Sequence, residues 1–374
     1  MLRLALFLTA LALTAAAEPP LVTVTAETVW DIPGETGQYL LGGLLVDAGW
    51  DLRGNLCFVD YKNRDLKLFS ADGRFLRTLG REGEGPGEVT DARLLLRHED
   101  GRLGLLQKFP AKVVWLEPDG DPGGELALVN TLDGPAGQGY LSLPHAVQYP
   151  GGLMGYLAVM SLTSAGPTEH HWIAPINADG TVGKPLWQRE EPQAAARPDG
   201  RIHEADLYYL WAARWAPDGH GGAWLAPERD RYRIVHLAAD GAELQVLERP
   251  YTAPDRDDLG RYQAREQLVR KRIPRDRLVL ADHDPVVGRL RRSDENLLWV
   301  DLSLGGRGPE PGTIAELDVW SRDGRWLARR RLVGDFDPNL DQRLFLDDRH
   351  VLVLRATDAG EVRLRLLRLT EPDR

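Results

Sequence analysis

An all-β fold built from repeated four-stranded antiparallel units is predicted by three observations. The dipeptide Asp-Gly recurs between alternating apolar runs, a further pair of short strands precedes each occurrence, and helical periodicity is confined to one segment. Asp-Gly between alternating runs is a strong hairpin signal, because glycine accepts the positive φ that such a turn requires.

The first hairpin is RDLKLFSADGRFLRTLG, from Arg64 to Gly80, turning at Asp72-Gly73. VVWLEPDGDPGGELAL turns at Asp119-Gly120, HWIAPINADGTVGKPLW at Asp179-Gly180, YRIVHLAADGAELQVL at Asp240-Gly241 and ELDVWSRDGRWLARRRL at Asp323-Gly324. The turns are 47, 60, 61 and 83 residues apart, and LRATDAGEVRLRLLRL forms a degenerate sixth copy. Upstream pairs of short strands lie in LLVDAGWDLRGNLCFVD, LLLRHEDGRLGLLQ, ARWAPDGHGGAWLAP and GRLRRSDENLLWVDL. Each unit therefore reads strand, turn, strand, loop, strand, turn, strand. Units of this kind at such spacing are the signature of β-propeller blades. One blade cannot bury both of its faces, so blades stack radially and the ring must close.

Six units fill residues 18–374 as a single six-bladed β-propeller domain. The last unit, Gln342 to Leu369, has room for about three strands. The alternating segment LVTVTAETVW (Leu21–Trp30) supplies the missing outer strand and joins the ends of the ring. A two-sheet sandwich is the competing arrangement of the same strands.

One segment breaks the alternation. TAPDRDDLGRYQAREQLVRKRIP, Thr252 to Pro274, predicts a short helical insertion around 254–272. Thr252 with Asp255 resembles a capping signal, Pro254 suits a first turn, and Leu259, Tyr262, Val269 and Ile273 share a face. Arg270, Lys271 and Arg272 fall in the last turn, where the dipole favours cations. The helix packs on the edge of the ring or lies as a lid over one end of the channel.

The repeat "RhhhFxxDG" resembles the NHL-type six-bladed propellers. DLKLFSADGRFLRTLGREGEGPGEV (Asp65–Val89) is closer still to bacterial exported six-bladed β-propellers, in which a strand ending in Gly-Arg runs into a Gly-Glu-Gly-Pro-Gly-Glu-like loop. That resemblance implies the fold and says little of activity. Within it, GREGEGPGEV joins the outer strand of the first blade to the inner strand of the second. A calcium site at Glu82, Glu84 and Glu88 is the alternative reading of this loop.

The chain opens MLRLALFLTALALTAAAEPP. Arg3, the apolar run Leu4–Leu13 and Ala15-Ala16-Ala17 read as a signal peptide over residues 1–17, cleaved after Ala17. An exported product, periplasmic or extracellular, is expected, with no membrane span and no cysteine for a lipid anchor. Cys57 is the sole cysteine, which excludes an intramolecular disulfide and a multi-cysteine zinc site. In NLCFVD it reads as a small buried hydrophobe. The formal charge of −10 excludes nucleic acid as a partner.

No nucleophile elbow, P-loop, HExxH or EF-hand pattern is present. The starts of the innermost strands, which point at the channel, place Tyr39, Asp91, His145, Tyr209, His283, Asp284 and Gln342 at its mouth, with Arg93, Arg214, Arg289 and Arg343 deeper. His145, His283 and Asp91 are the candidate ligands for a divalent cation, calcium or zinc, held with an open position. His170-His171 reads as an exposed loop beside Gly166-Pro167, and His220 as a turn residue. Tyr208, Tyr209, Trp211 and Trp215 form an aromatic cluster that is either core or pocket floor. Two functions follow. One is a monomeric, non-enzymatic binding or scaffolding module for a protein, peptide or glycan. The other is a metal-dependent lyase, lactonase or other hydrolase working at the channel mouth.

Overall fold

A computed structural model describes residues 18–130, 139–163, 166–192, 197–207, 213–270, 273–304, 312–357 and 360–371. The proposed signal peptide lies outside these residues, as do Tyr208, Tyr209 and Trp211.

Four antiparallel sheets of four strands follow one another along the chain. The first comprises Leu45–Trp50, Leu56–Asp60, Asp65–Phe69 and Phe75–Leu79. The second comprises Ala92–Arg97, Leu103–Gln107, Lys112–Leu116 and Pro122–Ala127. Longer strands, Tyr140–Tyr149, Gly152–Thr163, Gly166–Ile176 and Trp187–Pro192, make the third. The fourth has Trp215–Pro217, Ala223–Leu225, Arg233–Leu237 and Glu243–Glu248.

Two short parallel pairs, Arg81–Glu82 with Glu88–Val89 and Ile202–His203 with Leu278–Val279, stand apart, and the other strands form one eight-stranded sheet. Val287–Arg292, Leu298–Leu302, Thr313–Trp320 and Trp326–Val333 make one half. Asp341–Phe345, His350–Ala356 and Val362–Thr370 make the other, completed by the N-terminal strand Leu21–Pro33. That strand runs antiparallel to Val362–Thr370 and parallel to Trp326–Val333, pairing Leu21 to Thr25 with Arg329 to Val333. The parallel contact fuses what the sequence divides into two units.

Apolar clusters lie between successive sheets and account for the stacking. Cys57, Leu68, Leu105 and Val114 join the first sheet to the second, and Leu106, Val113, Leu157 and Trp172 join the second to the third. Further clusters join third to fourth and fourth to the eight-stranded sheet. Trp299, Leu317, Val351 and Leu367 pack the two halves of that sheet on each other. Trp30, Phe58, Phe69 and Leu366 return it to the first sheet. This circular order, in an all-β chain with one α-helix among the described residues, is a β-propeller arrangement.

The Asp-Gly turns fit this stacking through their glycines. Gly73, Gly120, Gly180, Gly241 and Gly324 all have φ between +81° and +104°. A Cβ on Gly73 would meet the Trp30 ring at 2.9 Å, on Gly120 the Leu79 side chain at 2.9 Å, and on Gly324 Gln245 Oε1 at 2.6 Å. On Gly180 it would strike the carbonyl oxygen of Ala127. Each turn thus presses on or beside the outer strand of the preceding sheet, which glycine alone permits.

The loop at Gly80 runs as expected, from the outer strand of the first sheet to the inner strand of the second. Glu88 is engaged by Arg81 Nε at 2.6 Å and by the Gly85 amide at 2.9 Å, while Glu82 pairs with Arg64. Glu88 therefore fastens the loop onto itself, and Glu82 fastens it to the first sheet.

The helix runs Asp258–Arg270, and its cap differs from the expected one. Asp257 Oδ1 accepts the Gly260 amide at 2.7 Å, while Asp255 pairs with His283 in a backbone bridge. Tyr262, expected on the buried face, is exposed; Leu268 and Ile273 carry the packing, against Ile202, Leu207, Leu278 and Leu280. His170 and His171 also correct the sequence reading. Pro167 pairs with Leu162 inside a long hairpin, so both histidines sit within the strand Gly166–Ile176 and are buried. Cys57 is fully buried, and burial pushes its thiol up to about 12.

Candidate functional site

The inner strands carry a shared irregularity. Their register shifts between Leu45 and Asp47, Ala92 and Leu94, Ser142 and His145, and Val287 and Arg289. A β-bulge re-aims the side chain beside it, and bulges are frequent next to functional sites. Here the residues on the far side of the shifts include Asp47, His145 and Arg289, from three different sheets.

Asp47 and His145 both feel the charge of Arg289. Asp47 Oδ2 accepts the Leu95 amide of the second sheet at 2.7 Å. Burial nevertheless pushes its carboxyl up to about 6, against the pull of that bond and of Arg289 and Arg97. His145 packs edge-on against Trp215, with centroids 5.4 Å apart, and its buried Nδ1 has no hydrogen-bond partner. Burial, with the charge of Arg289, depresses its imidazole to about 3, so it is neutral. Arg289 makes no hydrogen bond or ion pair with the described residues. Burial lowers its pKa; Asp301 and Asp47 oppose that, while Arg343 and Arg291 add to it.

The surrounding charges are mostly occupied. Arg343 holds Asp301 through two bonds, of 2.8 and 3.0 Å. Arg291 bonds Asp348 at 3.0 Å and lies over Trp299, 4.2 Å from the ring centroid. Among the described residues the centre therefore offers the Arg289 guanidinium, with no protein acceptor, beside a neutral imidazole and a carboxyl that titrates in the weakly acidic range; Arg291 Nη2 is also left without a partner.

The other sequence-predicted positions that the structure describes have partners of their own. Tyr39 packs on Phe69 and Phe75, and its hydroxyl donates to the Pro33 carbonyl at 2.8 Å. Asp91 is bonded by Arg93 Nε at 2.7 Å, with Tyr61 and Lys108 close by. Arg214 Nε donates to the Val287 carbonyl at 3.1 Å. Gln342 receives the Leu45 amide at 3.0 Å. His283 Nδ1 lies 2.7 Å from the Asp284 carbonyl oxygen, and His283 Nε2 lies 3.8 Å from Asp230. Asp284 binds Arg256, which also takes Glu204 at 2.7 Å through both terminal nitrogens. Tyr209 lies outside the described residues.

So His145 and Arg289 are brought together, whereas His145, His283 and Asp91 have separate surroundings. Among the described residues no group of three His, Cys, Asp or Glu side chains comes together to hold a metal ion. An imidazole next to a guanidinium is a poor donor set for a divalent cation. Trp215, one of the aromatic cluster, belongs to the core between sheets and floors His145. Asp47 was missed by the sequence reading; its signal was a lone carboxylate in the apolar run LLVDAGW.

No family model and no curated protein matches the chain by sequence. Solved structures match it by fold. A member of the DUF4221 family from Bacteroides vulgatus is 8% identical over 93% of this chain and 99% of its own, with a TM-score of 0.50. Virginiamycin B lyase from Staphylococcus aureus is 10% identical over 92% and 99%, with a TM-score of 0.43. Regucalcin from Agrobacterium tumefaciens, a calcium-binding protein, is 12% identical over 94% and 97%, with a TM-score of 0.41. At these identities the first supports the fold alone: the chain is a β-propeller.

Proposed function

We propose that this β-propeller binds a small anionic molecule at the centre of its ring, with Arg289 as the anchor. The observation that carries this reading is the set of guanidinium donors with no protein acceptor, in a site where His145 is neutral. Donors without a protein acceptor are open to a ligand, and a carboxylate or phosphate meets them with paired, charge-assisted bonds. Among the partner classes expected from the sequence, a sugar acid or a peptide carboxylate suits this centre.

A second reading rests on Asp47. A carboxyl raised to about 6 beside an anion anchor suits proton transfer near neutral pH, as a lyase or hydrolase acting on a carboxylate-bearing substrate needs. On this reading Arg289 holds the anion and Asp47 moves the proton, with no step assigned to a metal.

Titration calorimetry of the purified chain against a panel of mono- and dicarboxylates, sugar acids and phosphates tests the first reading. Arg289→Met is expected to weaken binding by about 10- to 100-fold. Absence of heat with every anion, or unchanged affinity in the variant, would overturn it. For the second reading, Asp47→Asn should abolish turnover of a bound anion while leaving its affinity within about threefold.

We further propose that the eight-stranded sheet is two four-stranded blades joined at Leu21–Thr25, giving six blades, as the resemblance to exported and NHL-type propellers implies. The separate apolar clusters on each side of both halves support this division. An experimental structure with five radial units instead of six would refute it.

A further inference from the structure

Three strands of the third sheet hold a serine, a histidine and a glutamate in sequence. Ser161 Oγ lies 2.7 Å from His170 Nε2, and His170 Nδ1 lies 3.2 Å from Glu190 Oε1. The register explains the alignment. His170 pairs with Val159 on one side and with Glu190 on the other. Ser161 stands two residues beyond Val159, so the pleat puts all three side chains on one face. Trp172, two residues along the same strand, stacks on the His170 ring with planes 7° apart and fixes its orientation.

The order hydroxyl, imidazole, carboxylate is that of an activated nucleophile. The imidazole takes the hydroxyl proton, and the carboxylate holds the ring and balances the charge it acquires. Burial favours the arrangement, since Ser161 is 8% and His170 5% exposed, while the Glu190 side chain is open to solvent. A dry hydroxyl–imidazole pair loses little of its electrostatic coupling to water. None of the three belongs to the ring-centre cluster.

We infer that Ser161 and His170 are the catalytic residues of a second, esterase-type site, with Glu190 as a positioning residue. The substrate class is a short-chain carboxylic ester, because Ser161 is only 8% exposed and its hydroxyl is within reach of a small acyl group alone. Ser161 Oγ attacks the ester carbonyl carbon as its proton passes to His170 Nε2. The C–O bond to the alcohol breaks, and the alcohol leaves with the proton that His170 returns. Water, deprotonated by the same nitrogen, then attacks the acyl-serine, releasing the carboxylic acid and restoring the hydroxyl.

The test uses the purified full chain with an alkyl fluorophosphonate probe and with p-nitrophenyl acetate. The probe is expected on the peptide carrying Ser161, with Ser161→Ala abolishing both labelling and ester turnover. His170→Gln should lower both by about 100-fold or more. Glu190→Gln should lower kcat about 10-fold with KM unchanged, and Glu190→Asp should recover part of the loss. A folded wild-type chain whose Ser161 stays unlabelled would overturn the inference, as would Ser161→Ala hydrolysing the ester at the wild-type rate. If Ser161→Ala does not fold, Ser161→Cys decides: its thiol must alkylate faster in the native chain than in urea.

Discussion

The amide of Leu45 donates to Gln342 Oε1 at 3.0 Å, although the two residues stand 297 positions apart, and Gln342 Nε2 returns a bond of 3.3 Å to the Gly43 carbonyl. One side chain so ties the inner strand of the last unit to the entry of the first. Trp50 Nε1 adds a second tie, to Asp347 Oδ2 at 2.7 Å.

Gln342→Leu removes both of its bonds and leaves the Leu45 amide without an acceptor. A loss of about 1–3 kcal/mol in unfolding free energy is expected, read by urea denaturation. A variant as stable as the wild type would show that this junction carries no load.

Gly180→Ala should cost more than an ordinary glycine substitution. It imposes a Cβ at φ +83° and drives it into the Ala127 carbonyl of the neighbouring sheet. We expect about 2–4 kcal/mol of destabilisation in thermal unfolding, whereas Gly200→Ala, with φ +80° but open space around it, should cost about 1 kcal/mol.

Arg256 is buried between Glu204 and Asp284, with Arg229 4.0 Å from Glu204. Removing the cation strands Glu204 in a dry setting, so Arg256→Met should loosen the helix and the strand pair Ile202–His203 with Leu278–Val279. About 3 kcal/mol is expected, read as faster amide exchange over 258–270 with the four-stranded sheets unchanged.

Acid titration should expose opposing terms at the ring centre. The raised Asp47 contributes stability that is complete below its ordinary value of 3.8 and is lost as pH rises through about 6. The depressed His145 contributes stability that is complete above 6.5 and is lost as pH falls toward about 3. Between pH 4 and 6 the two slopes offset each other. Asp47→Asn unmasks the histidine: its stability relative to the wild type should drop by about 1–2 kcal/mol from pH 7 to pH 4, once solvent access to the carboxylate is allowed for. A pH-independent difference would contradict this.

Export predicts a processed chain. Mass spectrometry of protein recovered outside the cytoplasm should give a mature N-terminus at Glu18, and retention of residues 1–17 there would oppose the signal-peptide reading.

The repeated hairpins were legible because their cause is local. Asp-Gly needs only its own φ and two alternating flanks, and every one of the five turns appears where the spacing placed it. Leu21–Trp30 was legible for a related reason, since an alternating strand outside any complete unit must pair with something. The parallel contact of the same strand with Arg329–Val333 left no local mark. The centre was harder to read. His145 and Arg289 were found by counting strand starts, but Asp47 comes into play through a bulge, which depends on how the sheets meet. His170 was misread because Gly166-Pro167 suggests a loop in isolation, while eleven paired positions between Gly152–Thr163 and Gly166–Ile176 hold it in a ladder.

The strand Leu21–Pro33 sits between two partners that follow it in the chain by about three hundred residues. During synthesis it waits, an unpaired apolar edge, until residues 326–370 arrive to enclose it. Its exposure to aggregation therefore lasts nearly as long as the chain takes to emerge. A helper that shields this one segment would protect the whole folding reaction, and a peptide copying it would compete for the same slot.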